Sequence, residues 1–356
     1  MAAALQFVQF CVAVHHGNRA KGGAVRKAAT RCLVIVLVCW CAVSGAAAAD
    51  LGLFTAGANG TYYQFGLDLK RLVKRNGLNL TVHASKGAVD NIFAVHQRPG
   101  IQMGIVQSDV LAFVAALSSN PALTQIAQST RMVFPLFSEE VHVLGRREIA
   151  DFEQLAGTRV AIGAEGSGTN LTARVLFKLA GIAPGETLPL MGGEALAQLK
   201  AGRIDAMVYV AGYPVKLFKD QVTAADGVAL IPISNKTVLE SYDATEIPAN
   251  IYDWQTTPVT TAAVRAVLVS RAVRGPGCEQ IGRFAHQVAT GMDWLMKNGH
   301  PRWKQVELDR PLAGWEQDDC VRKHLASQPG QTSSRRTVAS ERDPVAESIK
   351  EILGER

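Results

Sequence analysis

The chain has 356 residues, and its 37 lysines and arginines exceed its 31 aspartates and glutamates by a formal net charge of +6. Five of the basic residues and none of the acidic ones lie in residues 1–49. Without that segment the charge falls to about +1, which removes any support for nucleic-acid binding. The remaining length suits two α/β domains better than one.

The first 49 residues have the pattern of an export leader. A basic stretch at residues 26–31 precedes an apolar run at 32–43, and small residues end in an alanine-type cleavage site before Asp50. The run of about 12 residues is shorter than the roughly 20 that a membrane span needs. We therefore expect cleavage and a periplasmic protein, with an uncleaved anchor as the alternative. Residues 1–24 are long for a basic n-region, which favours a start at Val25.

Only two of the six cysteines, Cys278 and Cys320, lie behind the leader. A lone pair in an oxidising compartment is a good disulfide candidate, and two buried free thiols are the alternative. The sequence contains no C-x-x-C motif and no histidine spacing typical of a metal site. We predict neither a metal nor a cofactor.

From Asp50 onward the pattern alternates between strands and helices. Strands are predicted at residues 51–55, 78–84, 101–107, 131–144, 159–163, 204–210, 228–233 and 260–269. Helices are predicted at residues 61–75, 88–97, 169–180, 194–201, 279–297 and 320–327. Alternation at this spacing predicts an α/β fold with parallel sheets and right-handed crossovers.

Two of the predicted strands, at residues 131–144 and 260–269, are long and have no helix break. We interpret them as strands that cross between two lobes, one formed by residues 50–138 with 246–327 and the other by residues 139–245. Two crossings make a hinge, and a hinge between α/β lobes makes a cleft that can close. The polar segment at residues 328–356 is predicted to be a disordered tail.

Three glycine-rich turns, at residues 57–63, 163–170 and 210–214, follow predicted strands. The first N–H groups of a helix lack partners and lie at the positive end of its dipole, so such turns suit a carboxylate or phosphate. One such turn is more often only a turn, but three divided between two lobes favour a ligand cleft. The candidate ligand-binding residues here are Gly57, Asn59, Gly60, Thr61, Tyr62, Tyr63, Ser167, Gly168, Thr169, Ala211, Gly212 and Tyr213. Whether the three tyrosines stack on the ligand or pack in the core is open.

The ends of the predicted strands at residues 78–84 and 101–107 add five candidate ligand-binding residues. These are Ser85, Lys86, Asn91, Gln107 and Ser108. The alternative for Lys86 is a solvated surface lysine.

No set of catalytic residues emerges, so we predict that the protein is not an enzyme. The histidines are scattered and no Gly-x-Ser-x-Gly elbow is present. Glu139 and Glu140 are adjacent, so in a strand they point to opposite faces and cannot form a carboxylate pair.

Five motifs resemble a known family in the expected order. Residues 57–63 end in Gly-Thr-Tyr-Tyr, residues 85–91 resemble a Gly-Ser-x-x-Asn element, and residues 104–109 read Gly-Ile-Val-Gln-Ser-Asp. Residues 166–169 and 211–214 resemble two second-domain turns of the same family. Over residues 50–327 the chain thus resembles the TAXI solute-binding proteins of the tripartite ATP-independent periplasmic (TRAP) transporters. Ala88, where the family typically has Ser, and Gln64, where Pro is common, depart from the pattern.

The resemblance implies a two-lobed type II periplasmic-binding-protein fold and capture of a small organic anion. Glutamate-like amino acids and dicarboxylates or keto acids such as 2-oxoglutarate are the implied ligands, and TRAP-type permease subunits driven by an ion gradient are the implied partners. We expect a monomer. The alternative is a periplasmic sensor or scavenging protein of the same fold that feeds a signalling partner.

Overall fold

The structure, a computed structural model, describes residues 50–116, 120–312, 314–326 and 345. The predicted leader, the start at Val25 and, apart from Val345, the predicted disordered tail lie outside the described residues and stay predictions. None of the described helices is both long and apolar enough to cross a lipid bilayer.

Strands and helices alternate over most of the described chain, as the sequence predicts. The strands are β1 Leu51–Phe54, β2 Leu80–His83, β3 Met103–Gln107, β4 Thr130–Arg146, β5 Arg159–Ala161, β6 Glu186–Leu188, β7 Ala206–Ala211, β8 Val228–Leu230, β9 Asp243–Ile247 and β10 Val259–Arg271. The helices are α1 Thr61–Lys74, α2 Ala88–Gln97, α3 Ser108–Ala116, α4 Pro121–Ser129, α5 Gly168–Ala180, α6 Gly192–Lys200, α7 Lys216–Gln221, α8 Lys236–Ser241, α9 Pro276–Thr290, α10 Met292–Asn298 and α11 Asp319–Ala326. Short 3₁₀ helices cover Phe152–Leu155, Ala224–Asp226 and Pro301–Gln305.

The predicted elements are present, except that residues 279–297 form two helices, α9 and α10, divided at Gly291. The helix α2 has the predicted bounds. Local signals explain the boundaries of α5: the Ser167 side chain caps its first turn by accepting a hydrogen bond from Asn170 N, and Gly181 ends it in the left-handed conformation at φ 67°. The helices α3, α4, α7 and α8 and the short strands β6 and β9 were not predicted from the sequence.

The strands form one sheet in the order β2-β1-β3-β10-β4-β7-β5-β6, with β8 on β4 and β9 on β10. We call β1, β2 and β3 the first half of the sheet and β5, β6 and β7 the second half. Within each half the strands are parallel. Between the halves lie β4 and β10, which are antiparallel to each other and to their neighbours. The two long strands predicted to cross are therefore the strands that join the halves.

Apolar side chains bury the sheet on both faces. One cluster surrounds the first half and includes Phe65, Phe134 and Trp303. Two clusters surround the second half. In β7, Val208 belongs to one of them and Met207 to the other, because successive residues of a strand point to opposite faces. Burial on both faces explains why these strands read as continuous apolar runs.

The structure contains a disulfide between Cys278 in α9 and Cys320 in α11, with a Cα–Cα distance of 5.2 Å. This is the pairing that the sequence predicts, so the alternative of two free thiols does not apply. The bond joins the last described helix to α9, which packs on the first half of the sheet through Phe284 and Val288.

Candidate functional site

A cavity of about 200 Å³ lies where loops of the first half of the sheet face loops of the second half. Its walls come from the turns after β1, β2, β5 and β6 and from residues within β3, β4 and β7. It is lined by Ala56, Gly57, Ala58, Asn59, Gly60, Thr61, Tyr62, Lys86, Gly87, Ala88, Gln107, Glu139, Gly163, Ser167, Gly168, Thr169, Met191, Gly192, Val208, Tyr209, Val210 and Ala211. Parallel strands end together at such an edge, which explains why turns distant in sequence meet.

On the first-half side, the turn before α1 forms much of the wall. Gly60 N donates to Gly57 O at 2.8 Å, which closes the turn. Gly60 is the N-cap of α1 and has no side chain to accept from the first helical N–H groups. The α1 terminus therefore presents backbone donors at the positive end of the helix dipole, next to the cavity.

On the second-half side, the hydroxyls of Ser167 and Thr169 both have structural partners. Ser167 Oγ accepts from Asn170 N at 3.1 Å, and Thr169 Oγ1 accepts from Val210 N at 3.3 Å. Each hydroxyl thus uses acceptor capacity inside the protein and keeps its own proton for donation to a ligand.

The two walls touch each other directly. Asp90 N donates to Gly166 O at 3.1 Å, so a main-chain hydrogen bond spans the cavity rim. Gly168 packs so closely on Gln107 that a Cβ atom there would lie 1.5 Å from Gln107 Oε1. Gln107 Oε1 is itself buried and has no hydrogen-bond partner within the described part of the chain. A side chain at position 168 would force the end of the Gln107 side chain to move and would lie 3.1 Å from the Ala88 Cβ atom.

The charges on the wall are few. Among the described lining residues, Lys86 is the one cation and Glu139 the one acid. Lys86 is exposed at the rim, and Glu139 is only 2% exposed and accepts a hydrogen bond from Tyr62 Oη at 2.5 Å. Burial raises the pKa of Glu139 well above its ordinary value and outweighs the bond from Tyr62, which lowers it. Burial therefore shifts the equilibrium of this side chain toward its protonated form.

A second buried acid, Asp109, lies behind the cavity wall at the start of α3. Its Oδ2 atom accepts from Thr172 Oγ1 of α5 at 2.6 Å and from Tyr242 Oη at 3.4 Å. Burial raises the pKa of Asp109 to about 6, and the hydrogen bond from Thr172 opposes that rise. The carboxyl thus links the first α-helix after β3 to α5 of the second half. Asp109 is therefore a buried hydrogen-bonding link between these elements.

Eleven of the predicted ligand-binding residues line the cavity and six do not. The eleven are Gly57, Asn59, Gly60, Thr61, Tyr62, Lys86, Gln107, Ser167, Gly168, Thr169 and Ala211. The six outside the lining are Tyr63, Ser85, Asn91, Ser108, Gly212 and Tyr213. Successive helical residues point about 100° apart, which separates Tyr63 from Tyr62.

Three of the six hold the first-half loops together. Ser85 Oγ and Asn91 Oδ1 lie 2.6 Å apart, and Gly87 N donates to Ser85 Oγ at 3.0 Å. Asn91 Nδ2 donates to Thr55 O and to Ile105 O, so it ties the turn after β1 to β3. Ser108 Oγ accepts from the main-chain N of Arg265 in β10 at 3.1 Å. They position the wall without forming it.

Gly212 and Tyr213 instead meet Arg302 of the last 3₁₀ helix. The guanidinium lies 3.9 Å from the centroid of the Tyr213 ring and donates through Nε to Tyr213 O at 2.8 Å. A Cβ at Gly212 would lie 3.1 Å from that nitrogen. Arg302 also forms a buried ion pair with Glu140, whose Oε1 accepts from Nη1 at 3.1 Å. The neighbouring acids Glu139 and Glu140 therefore have separate partners, as their opposite directions in a strand predict.

Sequence reasoning missed several wall residues, above all Glu139, Tyr209, Met191 and Gly192. A signal for Glu139 was present, because two adjacent acids interrupt an otherwise apolar strand, and buried acids are rare without a partner or a function. Tyr209 and Met191 carry no comparable signal, since each follows from how a strand or turn is oriented in the assembled fold.

Comparison with known proteins gives a family and a fold. The model of the NMT1-like family matches residues 53–274 of the chain. Among solved structures, the periplasmic binding protein BugD aligns with a TM-score of 0.50 and 9% sequence identity, covering 86% of this chain and 96% of that one. A second structure, described as a periplasmic transporter, aligns with a TM-score of 0.50 and 12% identity, covering 86% and 98%. The predicted α/β fold of the periplasmic-binding-protein type is thereby confirmed.

Proposed function

The chain belongs to the NMT1-like family, and from that membership and the cavity we propose that it is a periplasmic solute-binding protein for a small organic anion. An amino acid such as glutamate, a dicarboxylate or a keto acid is the proposed ligand class. The protein acts by holding the ligand and not by catalysing a reaction on it.

The observation that carries the proposal is the composition of the cavity wall. Backbone donors at the start of α1 and α5, the hydroxyls of Ser167 and Thr169, and the ammonium group of Lys86 all border one cavity. Each is a donor suited to carboxylate oxygens. A cavity of about 200 Å³ matches a small metabolite better than a peptide or a nucleotide.

We further propose that the two sheet halves belong to two lobes, residues 50–138 with 246–327 and residues 139–245, hinged at β4 and β10. The contacts between Asp90 and Gly166 and between Gln107 and Gly168 would then form on closure and break on opening. Closure would sequester the ligand from water, and opening would release it.

As partner we propose the membrane subunits of a TRAP-type secondary transporter, to which a monomeric binding protein delivers its ligand. The support is the resemblance of the five turn and strand-end motifs to the TAXI branch. Neighbouring genes test this partner: a large permease gene supports it, and a kinase or regulator gene in its place would favour the sensor alternative.

Ligand capture is tested by thermal unfolding of the purified, ligand-stripped protein with amino acids, dicarboxylates, keto acids and phosphate. A ligand at 100 times its dissociation constant stabilises the folded state by about 2.7 kcal/mol. In a chain of this size that raises the melting temperature by about 5 °C. If none of the acids raises the melting temperature, the proposal is wrong.

A matched pair of glycine variants locates the site. A Cβ at Gly57 meets no atom within 4 Å, so Gly57→Ala adds a methyl group to the cavity wall without a clash in the free protein. Gly193 also has open space around it but is exposed on α6 and is not part of the wall. We expect Gly57→Ala to weaken binding at least about tenfold through overlap with the ligand. Gly193→Ala should bind normally, and equal affinity of the two variants would contradict this placement of the ligand.

A further inference from the structure

An acid on the wall of a cavity suited to anions needs a physical explanation. Glu139 lies on β4, nine-tenths or more buried, and lines the cavity together with Tyr62 and Tyr209. Tyr62 Oη donates to its Oε2 atom. Tyr209 of β7 lines the same cavity, and the pKa of its hydroxyl is raised by burial and by the charge of Glu139.

The charged groups around Glu139 already have other partners. Arg302 is paired with Glu140 and also donates to Ser138 O and Tyr213 O. Asp109, the other acid nearby, accepts from Thr172 and Tyr242. Within the described part of the chain, no lysine, arginine or histidine nitrogen forms an ion pair with Glu139 within 4.0 Å. Burial raises the pKa of Glu139, and the opposing charge of Arg302, which is paired with Glu140, lowers it only in part.

We infer that Glu139, with the ring faces of Tyr62 and Tyr209, receives a primary ammonium group of the ligand, so the ligand is an amino acid and not a keto acid or a plain dicarboxylate. This inference rests on the proposed function, since it concerns the ligand of the same cavity.

The chemistry of the cluster favours this ligand. An ammonium group offers three donors and a full positive charge, which the second acceptor position of a carboxylate bonded to one tyrosine can take. Tyrosine ring faces attract a cation as well. A carboxylate of the ligand has no hydrogen to donate to the free acceptor position of Glu139, and it would be repelled by the ionised form of that acid.

The donors for anions lie elsewhere on the wall. Lys86 and the first turns of α1 and α5 border the cavity through residues of the loops, whereas Glu139 belongs to a central strand. The cavity thus has one cluster suited to a positive group and a separate set of donors suited to a carboxylate. An amino acid carries both charges and can satisfy both.

The test compares amino acids with the oxo acids of the same carbon skeleton by titration calorimetry on the ligand-stripped protein. The probes are L-glutamate with 2-oxoglutarate, L-alanine with pyruvate, and L-leucine with 4-methyl-2-oxopentanoate. We expect at least one amino acid to bind more than about tenfold tighter than its oxo acid. Glu139→Gln keeps the shape and should weaken that amino acid about 10- to 100-fold, the effect of losing a charged hydrogen bond, with the oxo acid unchanged.

The control is Glu165→Gln, the same substitution at an exposed residue that lies in the turn before α5 and is not on the wall. It should leave both affinities unchanged. The wild-type protein gives an independent readout if Glu139→Gln does not fold. Because burial raises the pKa of Glu139 and a bound ammonium group would lower it, amino-acid binding should release protons, measured from the heat in buffers of different ionisation enthalpy.

The results distinguish a failure of the ammonium assignment from a failure of the proposed solute-binding function. If oxo acids bind as tightly as amino acids, or if amino acids bind without proton release and are insensitive to Glu139→Gln, the ammonium assignment is overturned and the solute-binding function stands. If no acid of either series binds, the proposed function itself fails and the assignment fails with it.

Discussion

Replacement of the buried acid Asp109 by asparagine should change how the stability of the protein depends on pH. The side chain is 3% exposed, and its native pKa of about 6 lies above the ordinary value of 3.8. The folded state therefore binds the proton more tightly than the unfolded state. The stability that this group contributes is complete below about pH 4 and is lost as the pH rises through 6.

The size of the effect follows from the shift. A difference of about two pKa units corresponds to about 3 kcal/mol in the free energy of unfolding. The asparagine side chain has no charge to bury, and its amide oxygen can still accept from Thr172. We therefore expect Asp109→Asn to gain up to about 3 kcal/mol relative to wild type between about pH 4 and pH 8.

Urea unfolding in steps across that range measures the difference. Asp220→Asn serves as the control, because Asp220 lies in α7 with a side chain that is 46% exposed and paired only with Lys216 on the same helix. Its effect should stay within about 0.5 kcal/mol at every pH. A free-energy difference for Asp109→Asn that is constant from pH 4 to pH 8 would refute the argument from burial.

Two further predictions concern the disulfide and the buried ion pair between Glu140 and Arg302. Replacing both Cys278 and Cys320 by alanine should lower the free energy of unfolding by about 4 kcal/mol, because the bond closes a loop with a sequence separation of 42 in the unfolded chain; urea unfolding that is unchanged by the replacement would contradict this. Glu140→Gln should cost about 3–5 kcal/mol, since it leaves the buried Arg302 without its counterion. The matched Glu148→Gln, in an exposed pair, should cost less than about 1 kcal/mol in the same assay.

The sequence was sufficient for the elements whose signals are local. The helix α2 follows Gly87 and ends before Pro99-Gly100. Glycine and proline interrupt regular structure, so both ends of this helix can be predicted from the sequence. By contrast, α3 is apolar on nearly every side, so it shows no helical period. A start signal for α4 was present in Asn120 followed by Pro121, and Asn120 Oδ1 accepts from Ala122 N at 3.0 Å. The apolar pattern of this short helix is limited, because only Leu123 and Ile126 are buried.

The residues of the site also divide into those with a local sequence signal and those that depend on tertiary packing. Turns such as residues 57–61 and 167–169 could be recognised because glycine and hydroxyl residues at a strand end have a physical meaning without the rest of the fold. The choice between Tyr62 and Tyr63 could not, since both begin the same helix and only the tertiary packing decides which ring faces the cavity. Glu139 depends on both kinds of information: its charge is visible in the sequence, and its burial beside two tyrosines is not.

The position of β10 in the sheet has a consequence for the order in which the chain can fold. Val106 of β3 pairs with Val267 of β10, about 160 residues later in the chain, and β10 also pairs along its length with β4. Pairings this distant slow folding, because a long loop must close before they form. During synthesis β3 and β4 therefore remain open edges, which can pair wrongly with other chains. A chain that stops before Val259 would lack the strand that separates β3 from β4, and the two halves of the sheet would have no connection at that point.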